Sequence, residues 1–321
     1  MRYVVLGAGA VGGAIGGRLF EHGHDVVLVA RGRHLQAMSS DGLELRSPDG
    51  SVTLRIPAVE GPELADLGPD DAVILATKSQ DTERALHALA AAAPVTVPVV
   101  CAQNGVENER MALRHFRRVY GMCVMLPATH LEPGVVEVHS SPVTGILDLG
   151  LYPSGTDDVA GRIASDLEAS SFSSRPDPAV MRQKYAKLLM NLGNALEAAA
   201  GSEARASDLN ERARTEGETC LRAAGIEFAS REEDRARRGD LLRLRPVDGR
   251  RRAGGSSWQS LAREAGTIET GYLNGEIVLL GHLHGVPTPV NELLLRVANR
   301  MARNRIRPGS LSVQDLLGDL A

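Results

Sequence analysis

The chain has 321 residues, with 36 Lys plus Arg against 40 Asp plus Glu and a formal net charge of −4. That length suits two domains, and the near balance of charge argues against nucleic acid or an anionic membrane as the main partner. Apolar residues at 43% and charged residues at 24% exclude a dominantly disordered chain, while 3% aromatic residues leave too few rings for a base-stacking surface and imply an aliphatic core.

In chain order, Arg2 to Leu6 is a short apolar strand running into Gly7-Ala8-Gly9-Ala10-Val11-Gly12. Residues 10–22 carry a helical pattern ending near Gly23, and 25–30 form a second apolar strand. A strand, a glycine turn, a helix and a strand within about 30 residues make a βαβ unit. Residues 43–47 and 52–56 alternate apolar and polar around Pro48-Asp49-Gly50, which predicts a hairpin. Further strands are expected at 72–76, 97–101, 119–126, 134–139 and 144–149, with helices at 82–91 and 105–114. This alternation predicts a mostly parallel sheet covered by helices. Residues 85–106 carry no formal charge, but Pro94 and Pro98 interrupt them, so a helix, a turn and a buried strand are expected there and not a membrane span.

The pattern changes at the Ser/Pro-rich stretch 170–178, which is taken as a domain boundary. Helical spacing dominates beyond it, at 180–200, 207–224, 231–238, 257–283 and 289–303. The segment 231–252 is Arg-rich but also acidic, and is expected to be a solvated helical face. Cys101, Cys123 and Cys220 are odd in number and far apart, with no C-x-x-C. A disulfide framework or a zinc site is therefore not expected, and a reducing cytoplasm fits. His282-x-His284 lacks a third ligand at suitable spacing, so no metal is expected.

The glycine pattern lies between a strand and a helix, the context that gives it meaning. Gly7 allows the tight turn, Gly9 lets the backbone approach a pyrophosphate, and Gly12 lets helix and strand pack closely. Ala10 and Val11 open the helix whose N-terminus faces the phosphates. NAD-binding chains usually end the second strand with a carboxylate. Here Val29-Ala30-Arg31 ends it with a cation, which suits the 2′-phosphate of NADP. Thr77-Lys78 and Gln103-Asn104-Gly105 follow two other strands at their carboxyl ends, where ligands bind in open α/β sheets.

Lys187, Asn191 and Asn194 stand at i, i+4 and i+7, on one helical face. Leu188, Leu189, Leu192 and Leu196 adjoin them, so this polar stripe borders a buried surface, where an ammonium is expensive unless paired or used. Ser256 with Gln259 three residues on makes a capping-box pattern, placing Ser257 beside a helix N-terminus able to receive a substrate carboxylate. Glu269 lies in a mostly apolar helical stretch, where a carboxylate needs a cation or a donor.

Taken together, the chain resembles the ketopantoate reductases (2-dehydropantoate 2-reductases) over nearly its whole length. The resemblance rests on Gly7 to Gly12, Arg31, Lys78, Gln103-Asn104-Gly105-Val106 and Lys187-Leu188-Leu189-Met190-Asn191. It continues through Ser256-Ser257-Trp258-Gln259, Glu269 within 267–275, and His284 to Asn291. It implies an α/β protein with an N-terminal Rossmann NADP-binding domain over 1–175. An all-helical substrate and dimerisation domain would follow over 176–321, with the active site in the cleft between the two. It further implies NADPH-dependent reduction of a 2-oxo acid to a 2-hydroxy acid, in pantothenate biosynthesis, by a cytoplasmic homodimer. Arg31 would hold the 2′-phosphate, and Lys78 and Asn104 would line the cofactor site. Lys187 would be the general acid, Asn191, Asn194 and Ser257 would contact substrate, and Glu269 would position substrate and Lys187. Alternatives are a β-hydroxyacid dehydrogenase, or a non-catalytic NADP-sensing module that would need neither Lys187 nor Glu269. The chain departs from the family pattern at three places. The helix asparagines are three apart where the family usually has four, Gly254 replaces an Asn, and a polar position downstream of the lysine helix is Ala204 or Arg205.

Overall fold

The computed structural model describes residues 1–318 and 320. The chain forms two compact units, Met1–Lys184 with Glu232–Arg252, and Tyr185–Arg231 with Ala253–Ala321.

The first unit begins β1 (Arg2–Leu6), α1 (Ala10–Glu21), β2 (Val26–Val29), α2 (Gly32–Asp41) and the hairpin β3 (Leu43–Ser47) and β4 (Gly50–Leu54). It continues β5 (Ala58–Val59), β6 (Asp71–Leu75), α3 (Thr82–Ala92), β7 (Val99–Cys101), α4 (Asn108–Leu113) and β8 (Val119–Met125). β9 (Ala128–Thr129), β10 (Val135–Val138), β11 (Ser140–Pro142), β12 (Ile146–Leu151) and α5 (Asp158–Ala169) follow. Seven strands form one sheet in the order β12-β8-β7-β6-β1-β2-β5, all parallel except β12, which runs antiparallel to β8. β4-β3-β10-β9 form a smaller mixed sheet.

Alternate residues of each strand face opposite sides of the large sheet. Tyr3, Val5, Val26, Leu28 and Ile74 pack with Ile15 and Leu19 of α1 and Ile163 and Leu167 of α5. Val4, Leu6, Val27, Val29, Val73 and Leu75 pack with Leu86 and Leu89 of α3 and Ala112 of α4. Both faces are covered, which explains why the strands read as near-continuous aliphatic runs. Residues 85–106 divide into α3, a turn and β7, and among the described residues no helix is long and apolar enough to cross a membrane.

α6 (Val180–Asn191) begins in the first unit and ends in the second; α7 (Gly193–Ala200) and α8 (Asp208–Ala223) follow. The chain then returns to the first unit through α9 (Arg231–Arg238) and β13 (Leu242–Leu244). It re-enters the second unit for α10 (Ser256–Ala262), α11 (Asn274–His284), α12 (Pro289–Arg303) and α13 (Val313–Gly318). Among the described residues the second unit is helical throughout.

The units therefore divide differently from residues 1–175 and 176–321. The first turns of α6 stay with the first unit because Val180, Met181 and Lys184 pack on Gly121 of β8, where a Cβ would come within 3.2–3.4 Å of all three side chains. The segment 231–252 is largely exposed, as expected of a solvated face, but it is also fastened to the first unit. β13 pairs antiparallel with β11, and Arg237 donates two 2.6 Å hydrogen bonds to the buried carboxylate of Asp148. Arg245 and Arg250 reach Asp49 and Glu137 at 3.0 and 3.4 Å.

Two long helices expected from periodicity are interrupted. The 180–200 helix breaks at Leu192, where two side chains converge: Asn274 donates to the Leu192 carbonyl at 3.1 Å, and the Asn210 carboxamide lies against Gly193. A side chain inserted into the ladder is a common cause of such a break. The 257–283 stretch is α10, a 3-10 turn over Glu269–Tyr272, and α11, with Glu264 and Gly266 at φ 53° and 72° turning the chain between them.

Candidate active site

The register of the large sheet aligns Leu6 with Val29 and Leu75, and Leu75 with Cys101. The glycine turn, Arg31, Thr77-Lys78 and Gln103-Asn104 therefore all leave the sheet at one edge. Gly7 sits at φ 103°, and a Cβ there would meet the backbone of Ala76 and Thr77 at 2.9–3.1 Å. A Cβ on Gly12 would strike the Gly7 carbonyl oxygen, whereas one on Gly9 would meet nothing. These are the separate demands of a tight turn, close helix–strand packing and access to the backbone. α1 then begins at Ala10 with no side-chain cap and no acidic residue in its first turn. The amides of Ala10, Val11 and Gly12 thus face a region suited to a phosphate.

The cleft beside this turn has a volume of about 230 Å³ and is lined by Gly7, Gly9, Arg31, His34, Lys78 and Arg84, among others. Arg31 is exposed and precedes α2 as its N-cap. Asp81 also lines the cleft and lies 3.2 Å from Arg84, so three cations face one carboxylate. His34 and Arg84 were not legible as site residues. His34 ties the glycine turn down, with Nε2 2.8 Å from the Ala8 carbonyl oxygen, while Nδ1 accepts from the Gly134 N–H at 2.9 Å. That acceptor role at Nδ1 places the ring proton on Nε2, which donates to Ala8. The ring also packs on His130, centroid to centroid 4.2 Å.

The two strand-end turns are cross-linked. The Gln103 amide donates to the Thr77 carbonyl at 2.9 Å and to the Thr82 hydroxyl at 2.7 Å. Asn108 accepts from the Thr82 hydroxyl at 2.8 Å and donates to the Asn104 carbonyl at 3.0 Å. Lys78 and Asn104 are both half-buried.

The second unit carries the remaining candidates. Lys187 is half-buried on α6, and Asn191 is buried at its end. Asn194 belongs to α7, and its side-chain oxygen accepts from Arg205. Arg205 also donates to Glu197 at 2.7 Å, and the other oxygen of Glu197 accepts the Gly255 N–H at 2.9 Å. Gly255 is the N-cap of α10, so Ser256 and Ser257 are its first two residues and Ser256 caps nothing. The capping box expected from Ser256 and Gln259 is thus replaced by a carboxylate from another helix, which accepts the N–H of the N-cap residue. Ser257 is buried, and its hydroxyl makes no hydrogen bond among the described residues. A side chain at Gly254 would come within 2.5 Å of the Trp258 ring, which accounts for the missing Asn. Glu269 is buried as the first residue of its 3-10 turn. Glu197 escaped the sequence, although it falls three residues after Asn194; Arg205 was named only as a departure from the family pattern, without its link to Asn194 and Glu197. Among the described residues no group of three or more His, Cys, Asp or Glu has the arrangement of a metal site.

Residues 3–153 match the family model "Ketopantoate reductase PanE/ApbA", and residues 179–302 match its C-terminal counterpart. The 2-dehydropantoate 2-reductase of Halobacterium salinarum is 29% identical over 318 residues, covering 94% of this chain and 99% of that protein. The Pyrococcus abyssi enzyme of the same name is 28% identical over 310 residues, covering 92% and 95%. The crystal structure of a ketopantoate reductase from Ralstonia eutropha JMP134 is 27% identical, covers 95% of this chain and 99% of that one, and superposes with a TM-score of 0.76. D-mandelate dehydrogenase, solved with NADH and anilino(oxo)acetate, shares the fold at a TM-score of 0.81, 22% identity, and coverage of 95% and 99%. With both halves matched in order, the chain is an oxidoreductase that belongs to the ketopantoate reductase family.

Proposed function

We propose that the chain reduces ketopantoate, a 2-oxo acid, to the 2-hydroxy acid with NADPH. The observation that carries this is the meeting of the Gly7–Gly12 turn, Arg31 and Lys78 at one sheet edge of a chain whose full-length relatives are named 2-dehydropantoate 2-reductases. When bound, NADPH supplies a hydride to the keto carbon. Ala10, Val11 and Gly12 would hold the pyrophosphate on the α1 N-terminus, and Arg31 the 2′-phosphate. Lys78 and Asn104 would line the remainder of the cofactor site.

Lys187 stabilises the negative charge that grows on the carbonyl oxygen and then gives that oxygen its proton, so one proton is consumed per turnover. Glu269 orients the Lys187 ammonium and the substrate. Asn191, Asn194 and the unpartnered hydroxyl of Ser257 bind the 2-oxo acid and aim its ketone. Residues 1–184 with 232–252 would serve the cofactor, and the helical unit would serve substrate and a homodimer contact. Cys101, Cys123 and Cys220 are buried and form no disulfide among the described residues, which fits a cytoplasmic enzyme.

A 2-oxo acid other than ketopantoate is the alternative substrate, favoured by Arg205 against Asn194 and by Trp258 filling the space at Gly254. Purified chain, NADPH and a panel of 2-oxo acids that includes ketopantoate separate the two by kcat/KM. Absence of NADPH oxidation with every member would overturn the reductase assignment.

A further inference from the structure

A fully buried ion pair lies under the turn that carries Asn104, and the proposed chemistry does not use it. Lys184 Nζ stands 2.8 Å from Glu109 Oε1, with side-chain exposures of 2% and 0%. An ammonium has three donors, and Lys184 has three acceptors. Besides Glu109 these are the Gln103 carbonyl at 2.8 Å and the Met122 carbonyl at 3.2 Å. The next carbonyl of the turn, that of Asn104, accepts from Asn108 at 3.0 Å. Asn108 and Glu109 are consecutive in α4, so the start of one short helix holds two successive carbonyls, one directly and one through Lys184. Gly105 completes the turn at φ 80°.

The pair is a poor device for stability alone. Burial pushes the Glu109 carboxyl above its ordinary range, with Lys184 pulling it back. Two well-packed apolar side chains in such a place commonly leave a protein as stable or more so. What apolar side chains cannot do is donate to the Gln103 and Met122 carbonyls. Gln103 has its side chain committed to the neighbouring turn at Thr77 and Thr82. Fixing its carbonyl as well leaves its backbone a single orientation, which sets the direction of Asn104.

We propose that Lys184, held by Glu109, is a positioning residue that fixes the backbone of the Gln103–Gly105 turn for cofactor binding. This rests on the assignment of the first unit as the NADPH-binding unit. The test uses the full-length chain and two variants, Lys184→Met and the double variant Lys184→Met/Glu109→Leu. NADPH binding is followed by nucleotide fluorescence, folding by thermal denaturation, and KM by steady-state kinetics. With the turn unfastened, Kd and KM for NADPH rise about ten-fold in both variants, and KM for the 2-oxo acid stays within about three-fold. The double variant recovers the melting temperature of the parent but not its NADPH affinity. Recovery of both, parent-like NADPH binding by folded Lys184→Met, or failure of both variants to fold assigns the pair a purely structural role and overturns the proposal. A parent chain that binds neither NADPH nor NADH overturns the cofactor assignment, and the proposal with it.

Discussion

Arg31 takes the place where an NAD-binding chain would offer a carboxylate, and it shares its cleft with Lys78 and Arg84. Arg31→Ala is expected to erode the preference for NADPH over NADH roughly ten-fold or more, since a charge-assisted contact is worth about 1.5–3 kcal/mol. Comparable kcat/KM for both cofactors in the parent would refute it. For Lys187→Ala, single-turnover reduction should slow by roughly 10²–10⁴-fold with NADPH affinity retained. An unchanged rate would remove Lys187 from the chemistry. Arg205 matters differently. It joins Asn194 to Glu197, and Glu197 holds the first N–H of the segment bearing Ser257. Arg205→Ala should therefore reorder the 2-oxo acids by roughly ten-fold in relative kcat/KM, about 1.4 kcal/mol, while the kcat of the best substrate changes less. A uniform loss across the panel would instead mark general unfolding of α10. Lys187 and Asn191 were legible because 3.6-residue periodicity sets them one turn apart on α6, whereas the expected continuation to Asn194 crosses the break at Leu192 into α7. Arg205 was legible only as a departure from the family pattern, because its role lies in a contact eleven residues away whose direction depends on the break at Leu192.

Among the elements, α5 shows how local rules and tertiary contacts combine. Asp157 is its N-cap and accepts the Ala160 N–H at 2.9 Å, and Arg118 and Tyr120 reach the same carboxylate at 3.0 and 2.8 Å. Burial opposes ionisation there, but the Ala160 N–H, Arg118 and Tyr120 together hold the Asp157 carboxyl below its ordinary value of 3.8. A carboxyl depressed by folding contributes stability above its unfolded value and loses it as pH falls through the folded one. Asp157→Ala should thus cost about 1 kcal/mol or more at pH 7, and the difference from the parent should shrink below pH 3.8. Thermal melts across that range check it; a difference independent of pH would assign the loss to packing. Strands, the hairpin and most helices were legible as elements because each buries a face of fixed period. The breaks at Leu192 and between Ala262 and Glu269 were not, because the first answers to Asn274 and Asn210, more than fifteen residues away in sequence.

At the scale of the whole molecule, the chain passes between its two units three times, at Lys184, Arg231 and Arg252. The returning segment is fastened by Arg237, whose two bonds to Asp148 lie in a place where the carboxylate is 4% exposed. Arg237→Ala strands that carboxylate with Arg175 at 3.6 Å as its nearest remaining cation. The loss expected for breaking a buried pair is about 3 kcal/mol or more, read by urea denaturation together with faster proteolysis within residues 232–252. A change under about 0.5 kcal/mol, typical of surface substitutions, would show the segment to be held by β13 alone. The amino-acid sequence by itself determined the two classes of architecture, the dinucleotide turn, the cation at the end of β2 and the Lys187–Asn191 pair on α6. Each of these is encoded within one element, by glycine spacing, strand ends or helical period. Tertiary structure alone decided that an Arg-rich segment late in the chain belongs to the first unit, that Glu197 supplies the carboxylate at α10, and that Lys184 and Glu109 meet under the Asn104 turn. Those outcomes depend on where buried charges find partners, and a lone carboxylate or ammonium in the sequence carries no mark of the partner that makes its burial tolerable.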